Sequence, residues 1–352
     1  MFPYTQATFR CTGTSVGVRL INRHNYGDST LGAVIDGVPY RARITENDAE
    51  TTVCSPSICR TSNMRWWSIS VRMASTIWRL RLSHDDQARV LPPAIPAPIR
   101  RIEVYGDSVS CGERNEAALY TGKADPDTDL SPYSNSWYSY AAITARNLGA
   151  SANIVAQGGA SLLDGIGWFC GPDYVGMESI WDRIEYNPFL GETKPWDFSR
   201  YTPQVVVVAL GQNDAHPVDF MAADYQGEQS VQWRARYVDF LRTLRGKYLQ
   251  ATIICATTVL QHDASWDQAI DDAVRVVSTG DRNNGIAPDP KVHHFLYSRN
   301  GSATPATRAS PNIRRWRTSS PPSSNPSALR FGTDHRRQPI GPALTIKREE
   351  LT

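Results

Sequence analysis

Arg100–Glu113, RRIEVYGDSVSCGE, carries a short apolar strand, Ile102 to Tyr105, that runs into Gly106-Asp107-Ser108 and a turn of small residues. A hydroxyl just beyond a strand end can face a cleft, and Gly106 gives the backbone freedom to bend there. That is the placement a nucleophilic serine requires. The same residues also suit an ordinary strand-to-helix turn capped by a serine. The flanking sequence discriminates between the two.

Upstream, residues 1–95 alternate short polar-apolar segments with turn residues. Ser15 to Ile21 (SVGVRLI), Gly32 to Arg41 (GAVIDGVPYR, with a hairpin signal at Asp36-Gly37) and Trp66 to Arg72 (WWSISVR) are examples. The pattern predicts a small antiparallel β-sandwich. Leu91 to Pro98 (LPPAIPAP) is a stiff linker, and the strand that leads to Ser108 follows it.

Downstream, strands alternate with helical stretches, which predicts an α/β domain over 96–305 with a parallel sheet and helices on both faces. Ile154 to Ala156 is a second strand ending at Gly158-Gly159-Ala160-Ser161. Val205 to Leu210 (VVVVAL), an unbroken β-branched run, ends at Gly211-Gln212-Asn213-Asp214. Thr252 to Thr257 (TIICAT) is a fourth strand. Trp137 to Leu148 and Ser230 to Arg245 have helical spacing, with Gly246 as a stop signal for the latter. Three strand ends thus carry polar or glycine-rich turns, and ligands bind at the carboxyl ends of parallel strands.

GDS near the start, a glycine turn about fifty residues later and GxND about fifty after that resemble the SGNH (GDSL-type) hydrolases. The preceding sandwich and RRIEVYGDSVSCG narrow the resemblance to carbohydrate esterase family 2, whose members place a jelly-roll domain before the SGNH domain. The resemblance spans Thr12 to Pro305. It implies an esterase that removes acetyl groups from polysaccharide sugars or small acetylated sugars through an acyl-serine intermediate. Ser108 would be the nucleophile, with its own backbone N–H, that of Gly159 (or its neighbour Gly158) and the Asn213 side chain as oxyanion donors. Asp107 would hold the turn by hydrogen bonds and take no part in proton transfer. Trp168, Trp181 and His216 are the candidate substrate-binding residues; the two tryptophans, like Tyr133 and Trp137, suit either a sugar face or a core. Arg114-Asn115-Glu116 reads as a solvated loop. The alternatives are a carbohydrate-binding protein without turnover, and a lipase or general short-chain esterase.

The C-terminal part departs from that pattern. The family takes its general base from a histidine near the C-terminus, in a Gly-His-Pro turn that would follow Pro305. Here the chain continues Ala306-Thr307-Arg308, and His335 is the one late histidine, in a Pro/Ser/Arg-rich tail over 306–352 that reads as poorly ordered. Among the codons allowed for Pro305 to Asn312 is the series CCG GCC ACC CGC GCA TCC CCG AAC. With one G inserted after CCG, the next frame reads GHPRIPE. Allowed codons for Ile313 to Ser323 continue it as HQEMADELAAF, an amphipathic helix opened by the family's histidine turn. A lost reading frame after Pro305, rather than a genuine basic extension, is therefore expected, and with it an impaired enzyme.

Composition bounds the remaining classes. The 352 residues are 41% hydrophobic and 10% aromatic with a formal charge of +2, enough for a substantial core. The tail from Ser302 carries nine Lys/Arg against three Asp/Glu, so the body is mildly acidic; no nucleic-acid fold or aromatic-basic platform accompanies the basic tail. No run of about 18 apolar residues suggests a membrane segment. MFPYTQATFR lacks a basic-then-apolar leader, which places the chain as written in the cytoplasm and makes it secreted if the N-terminus is incomplete. The six cysteines read as free thiols, and Cys54 and Cys59 could pair only in an oxidising compartment. No histidines with supporting carboxylates have ligand spacing, so neither a metal nor a cofactor is expected. His293 and His294 sit on a strand, one inward and one outward.

Overall fold

The computed structural model describes residues 2–12, 16–24, 29–54, 62–69, 76–84, 89–93, 95–121, 123–124, 126–187, 189, 191–256, 263–297 and 345–347. Eight strands precede the linker: β1 Gln6–Cys11, β2 Val16–His24, β3 Ser29–Ile35, β4 Val38–Ile44, β5 Glu50–Cys54, β6 Ser62–Ile69, β7 Thr76–His84 and β8 Val90–Leu91. They form two antiparallel sheets, one ordered β4-β3-β6-β1-β8, the other built on β5-β2-β7. Alternating residues explain the buried side: Phe9, Leu31, Ala33, Ile35 and Ile44 of the first sheet share one apolar cluster with Val18, Leu20 and Val53 of the second. The β3–β4 turn uses Asp36 and Gly37 at φ 49° and 87°, the two positive values that a type I′ hairpin needs.

After the linker come β9 Arg100–Gly106, α1 Ser108–Cys111, α2 Tyr140–Asn147, β10 Ala150–Ala156, α3 Met177–Ile180, a small hairpin of β11 Arg183–Glu185 and β12 Lys194–Pro195, β13 Val205–Ala209, α4 Phe220–Ala223, α5 Glu228–Lys247, β14 Thr252–Ala256, α6 Ala264–Thr279 and β15 Val292–Phe295. Their five-stranded sheet has the order β10-β9-β13-β14-β15, and every pairing in it is parallel. β9 lies between β10 and β13, so the three turns singled out in the sequence leave adjacent strands at the same edge. This is the parallel α/β architecture expected after the linker. One face carries Val206, Val208 and Ile253 against Trp233, Tyr237, Leu241 and Leu244 of α5 and Trp266, Ile270 and Ala273 of α6. The other carries Ile102, Val104 and Ile154 against Ala141, Ala142 and Ala145 of α2. The β-branched run is covered on both sides, as a parallel strand of this composition requires.

Several boundaries differ from the sequence reading. Gly246 does not stop α5 but lies inside its last turn, where a Cβ would meet open space; Tyr248 is the C-cap. Ser136–Tyr138 is a short 3-10 turn, and α2 begins after Ser139, whose hydroxyl accepts the Ala142 N–H. Phe2 stacks on Tyr186 with centroids 4.4 Å apart, and Tyr4 packs with Ile102 and Ala141, so the first residues of the chain serve the α/β core rather than the N-terminal sheets. β16, Thr345–Lys347, pairs antiparallel with β5 and extends the second sheet. His294 contacts Asp271 of α6 through Nδ1, 3.0 Å from Oδ1, whereas His293 is exposed. Cys54 is a free thiol; Cys59 lies outside the described residues. No described helix is long and apolar enough to cross a membrane.

Candidate active site

Ser108 is the first residue of α1, directly past the end of the central strand β9. Asp107 is its N-cap in extended conformation, and Oδ1 accepts the Val109 N–H at 2.9 Å. Gly106 is obligatory, since a Cβ there would stand 2.1 Å from Ser110 Oγ. Gly112 closes the single helical turn at φ 81°, its N–H directed at the carbonyls of Ser108 and Val109. The backbone is thus fixed on both sides of Ser108, which is half-buried while Val109, Ser110 and Cys111 are buried.

Gly159 follows β10 at φ +76°, where a Cβ would lie 2.9 Å from the Trp168 Cβ. Its carbonyl accepts the N–H groups of Trp168 at 2.8 Å and Phe169 at 3.2 Å. No acceptor among the described residues takes the Gly159 N–H. The Gly158 N–H, by contrast, is directed at the Cys111 sulfur. Of the two glycines left open by the sequence, Gly159 is the one with a donor to offer.

Asn213 sits in the turn after β13. Its Nδ2 donates to the Ala160 carbonyl at 2.9 Å and stands 3.4 Å from Asp107 Oδ2; Gln212 Nε2 donates to the same Asp107 oxygen at 2.6 Å. Asp214 ties the arrangement from behind: Oδ1 accepts the Leu162 N–H and the Trp233 Nε1–H, each at 2.8 Å. The three turns are therefore one hydrogen-bonded unit. Burial pushes the Asp107 carboxyl up to about 7 and the Asp214 carboxyl up to about 6, against the pull of the N–H donors around them. Gln212, Asp214 and Trp233 were not singled out from the sequence as site residues, although the GxND turn already contained two of them.

The candidate binding residues divide. Trp168 is 61% exposed and its ring stacks on His216 with centroids 3.3 Å apart. His216 Nδ1 is 2.6 Å from the Gly167 carbonyl oxygen; a carbonyl only accepts, so Nδ1 carries the proton. The Gly167 N–H returns a bond to the His216 carbonyl at 2.8 Å, latching the loop after Gly159 to the loop after Asn213. Trp181, in contrast, packs against Phe198 at 5.2 Å, Phe240 at 6.2 Å and Tyr105 at 6.4 Å. Its expected sugar-stacking role gives way to core packing. Trp137 likewise lies under Arg146 and beside Tyr4, and Tyr133 meets Tyr120 edge-on.

Arg114-Asn115-Glu116 is not a solvated loop: Asn115 is fully buried and donates to the Asn135 carbonyl at 2.9 Å. At the far end of the sheet, Tyr297 packs with Tyr140 on Val109, next to Ser108. His335 lies outside the described residues, as does the whole of 298–344. Among the described residues no group of three or more His, Cys, Asp and Glu is arranged to hold a metal ion.

No protein-family profile matches the chain. Over 218 residues it is 33% identical to the cellulase/esterase CelE of Acetivibrio thermocellus, which takes in 60% of this chain and 23% of that protein. Over 170 residues it is 32% identical to an acetylxylan esterase / glucomannan deacetylase of Cellvibrio japonicus, covering 46% of this chain and 40% of the relative. The chain thus matches well under two thirds of either curated relative's length. In fold it superposes on a family two carbohydrate esterase from Clostridium thermocellum, determined in complex with cellohexaose, with a TM-score of 0.70 over 90% of both chains at 23% identity. In sequence and in fold, the chain resembles carbohydrate esterase family 2.

Proposed function

We propose that the chain is a serine esterase of the carbohydrate esterase family 2 type, which removes acetyl groups from carbohydrates. One observation carries the reading: Ser108, Gly159 and Asn213 follow three adjacent parallel strands, and Asp107, Asn213 and Ala160 bond their turns to one another. In the reaction, Ser108 Oγ attacks the acetyl carbonyl and a base takes its proton. The carbonyl oxygen becomes an oxyanion that accepts from the Ser108 N–H, the Gly159 N–H and Asn213 Nδ2. The oxyanion then collapses, the sugar hydroxyl leaves with the proton from the base, and acetyl remains on Ser108. Water repeats the sequence and releases acetate. Electrostatic stabilisation of this kind needs donors that are fixed beforehand, and the bonds around Gly159 and Asn213 supply that fixity.

The base belongs to the segment that follows the sheet. Tyr297, the last residue of the described sheet domain, packs on Val109, so the chain leaves β15 beside the nucleophile. Pro305 is eight residues further on, and a Gly-His-Pro turn in the neighbouring frame would begin there. In the frame present, that base is missing, His335 is a poor substitute, and acetyl transfer is slow. The domain assignment completes the reading: residues 1–95 as a jelly-roll-like sandwich apart from the first few, 96–305 as the SGNH domain, and 306–352 as an atypical tail. Acetylated xylan, glucomannan or a smaller acetylated sugar is the substrate class; the two polymers are those in the name of one relative, an acetylxylan esterase / glucomannan deacetylase.

Hydrolysis of p-nitrophenyl acetate by this chain and by Ser108→Ala tests the esterase reading; a serine esterase loses its rate with the hydroxyl, and equal rates reject it. A binding protein without turnover is the second reading, favoured by Ala306-Thr307-Arg308 standing where the family has its histidine. It predicts equal, background rates together with retained affinity for the polysaccharide.

A further inference from the structure

Arg41 of β4 reaches out of the N-terminal sheets and grips Glu116 with Nη2, 2.7 Å from Oε1 and 2.6 Å from Oε2. The pair is roughly three-quarters buried on both sides, so it is screened less than a surface ion pair. Glu116 Oε1 also accepts from Asn135 Nδ2 at 3.1 Å. Asn135 in turn holds the end of α1: its N–H donates to the Gly112 carbonyl at 2.9 Å, and its own carbonyl oxygen would stand 2.5 Å from a Cβ on Gly112. That carbonyl accepts from the buried Asn115 side chain as well. The next amide, Glu113, donates to the carbonyl of Ser108 itself at 3.0 Å. From β4 to Ser108 there is an unbroken series of short polar contacts, and it needs a charged residue from the N-terminal sheets to be complete.

We infer that Arg41 is a positioning residue for the nucleophile turn, so that the N-terminal sheets act as a brace for the α/β site in addition to any glycan contact. Without the guanidinium, Glu116 keeps only the Asn135 amide as a side-chain partner among the contacts described above. It then turns toward solvent and releases Asn135, and Gly112 loses the contact that holds the C-cap of α1. Ser108 keeps its chemistry but not its fixed direction. The catalytic half of this statement rests on Ser108 being the nucleophile; the structural half does not.

Hydrogen exchange of the full chain tests the structural half directly. In Arg41→Ala the amides of Cys111, Gly112 and Glu113 are expected to exchange roughly fivefold to thirtyfold faster, the factor that a local loss of about one to two kcal/mol produces. The α5 and α6 amides should keep the parent rate. Glu116→Gln, which keeps the shape and removes the charge, should give the same local pattern, and Arg41→Lys an intermediate one because the ammonium keeps the charge but lacks the planar, preorganised guanidinium. Arg23→Ala, which removes an exposed pair with Asp48 in the same sheets, should leave these amides unchanged. In turnover, Arg41→Ala should lower kcat with KM unaltered. Unchanged exchange at Cys111 to Glu113, or acceleration spread evenly over the α/β domain, overturns the inference. If the local acceleration is present while acetate release is indifferent to Ser108→Ala, the brace stands and the esterase reading falls.

Discussion

Asn213→Ala separates two consequences of one side chain. Asn213 Nδ2 carries two protons: one goes to the Ala160 carbonyl at 2.9 Å, and the other is near Asp107 Oδ2 at 3.4 Å, too long for a strong bond. The second proton is the one available to an oxyanion. Removing a single donor of this kind costs about 10² to 10³ in kcat. The first proton matters for stability. Ala160 is 1% exposed, and its unpartnered carbonyl costs about 1–3 kcal/mol, a fall of several degrees in Tm. Acetate release from an acetylated xylooligosaccharide is the suitable assay, with free imidazole added to serve as proton acceptor, at a temperature well below both transitions. The two effects should appear independently, with KM little changed. A variant whose kcat stays within about threefold of the parent, well short of the loss expected for one oxyanion donor, would refute Asn213 as an oxyanion donor even if Tm falls as expected.

Further outcomes follow from neighbouring groups. Gly159→Ala places a Cβ 2.9 Å from the Trp168 Cβ at a positive φ, so the turn must move; calorimetry should show a lower Tm, and the assay a loss of kcat comparable with that of Asn213→Ala. For Asp107, a folded-state value of about 7 against 3.8 for a free carboxyl means the native state holds a proton that the unfolded chain has lost. Its contribution is present below pH 3.8 and is lost as pH rises through 7. Tm should therefore fall over that window, and Asp107→Asn should flatten the fall; an identical slope in the variant would contradict the burial argument. Inserting one G after the Pro305 codon should create the Gly-His-Pro turn and raise kcat about 10² to 10⁴-fold, the share a general base contributes. No gain from the restored frame would separate the tail from catalysis.

What the sequence made legible was local. The hairpin at Asp36-Gly37, the covered run from Val205 and the three strand-end turns all announce themselves through neighbouring residues. Strand extents were less legible: β10 starts at Ala150, four residues before the apolar pattern, because pairing with Arg100 to Glu103 recruits Ala150, Ser151, Ala152 and Asn153. Gly246 misled because an exposed helical glycine costs only about 1 kcal/mol, less than the burial of Leu244 and Tyr248 on either side of it contributes. Contacts over long sequence distances left no signal at all. Phe2 on Tyr186, Trp233 on Asp214 and Arg41 on Glu116 join residues whose types are unremarkable in their own neighbourhoods. Trp181 shows the converse: an aromatic in a loop-rich stretch looks like a sugar platform until Phe198 and Phe240 occupy the space around it.

Trapping the acyl intermediate tests the central claim most directly. The full chain is mixed with p-nitrophenyl acetate, quenched in acid after an interval long enough for acyl transfer without the base, and digested, and the peptides are weighed. A chain with a nucleophile and an oxyanion hole but no base to hasten water attack should accumulate one acetyl group on Ser108, and Ser108→Ala should carry none. Acetyl groups spread over lysines, or an equal yield in Ser108→Ala, would contradict the account.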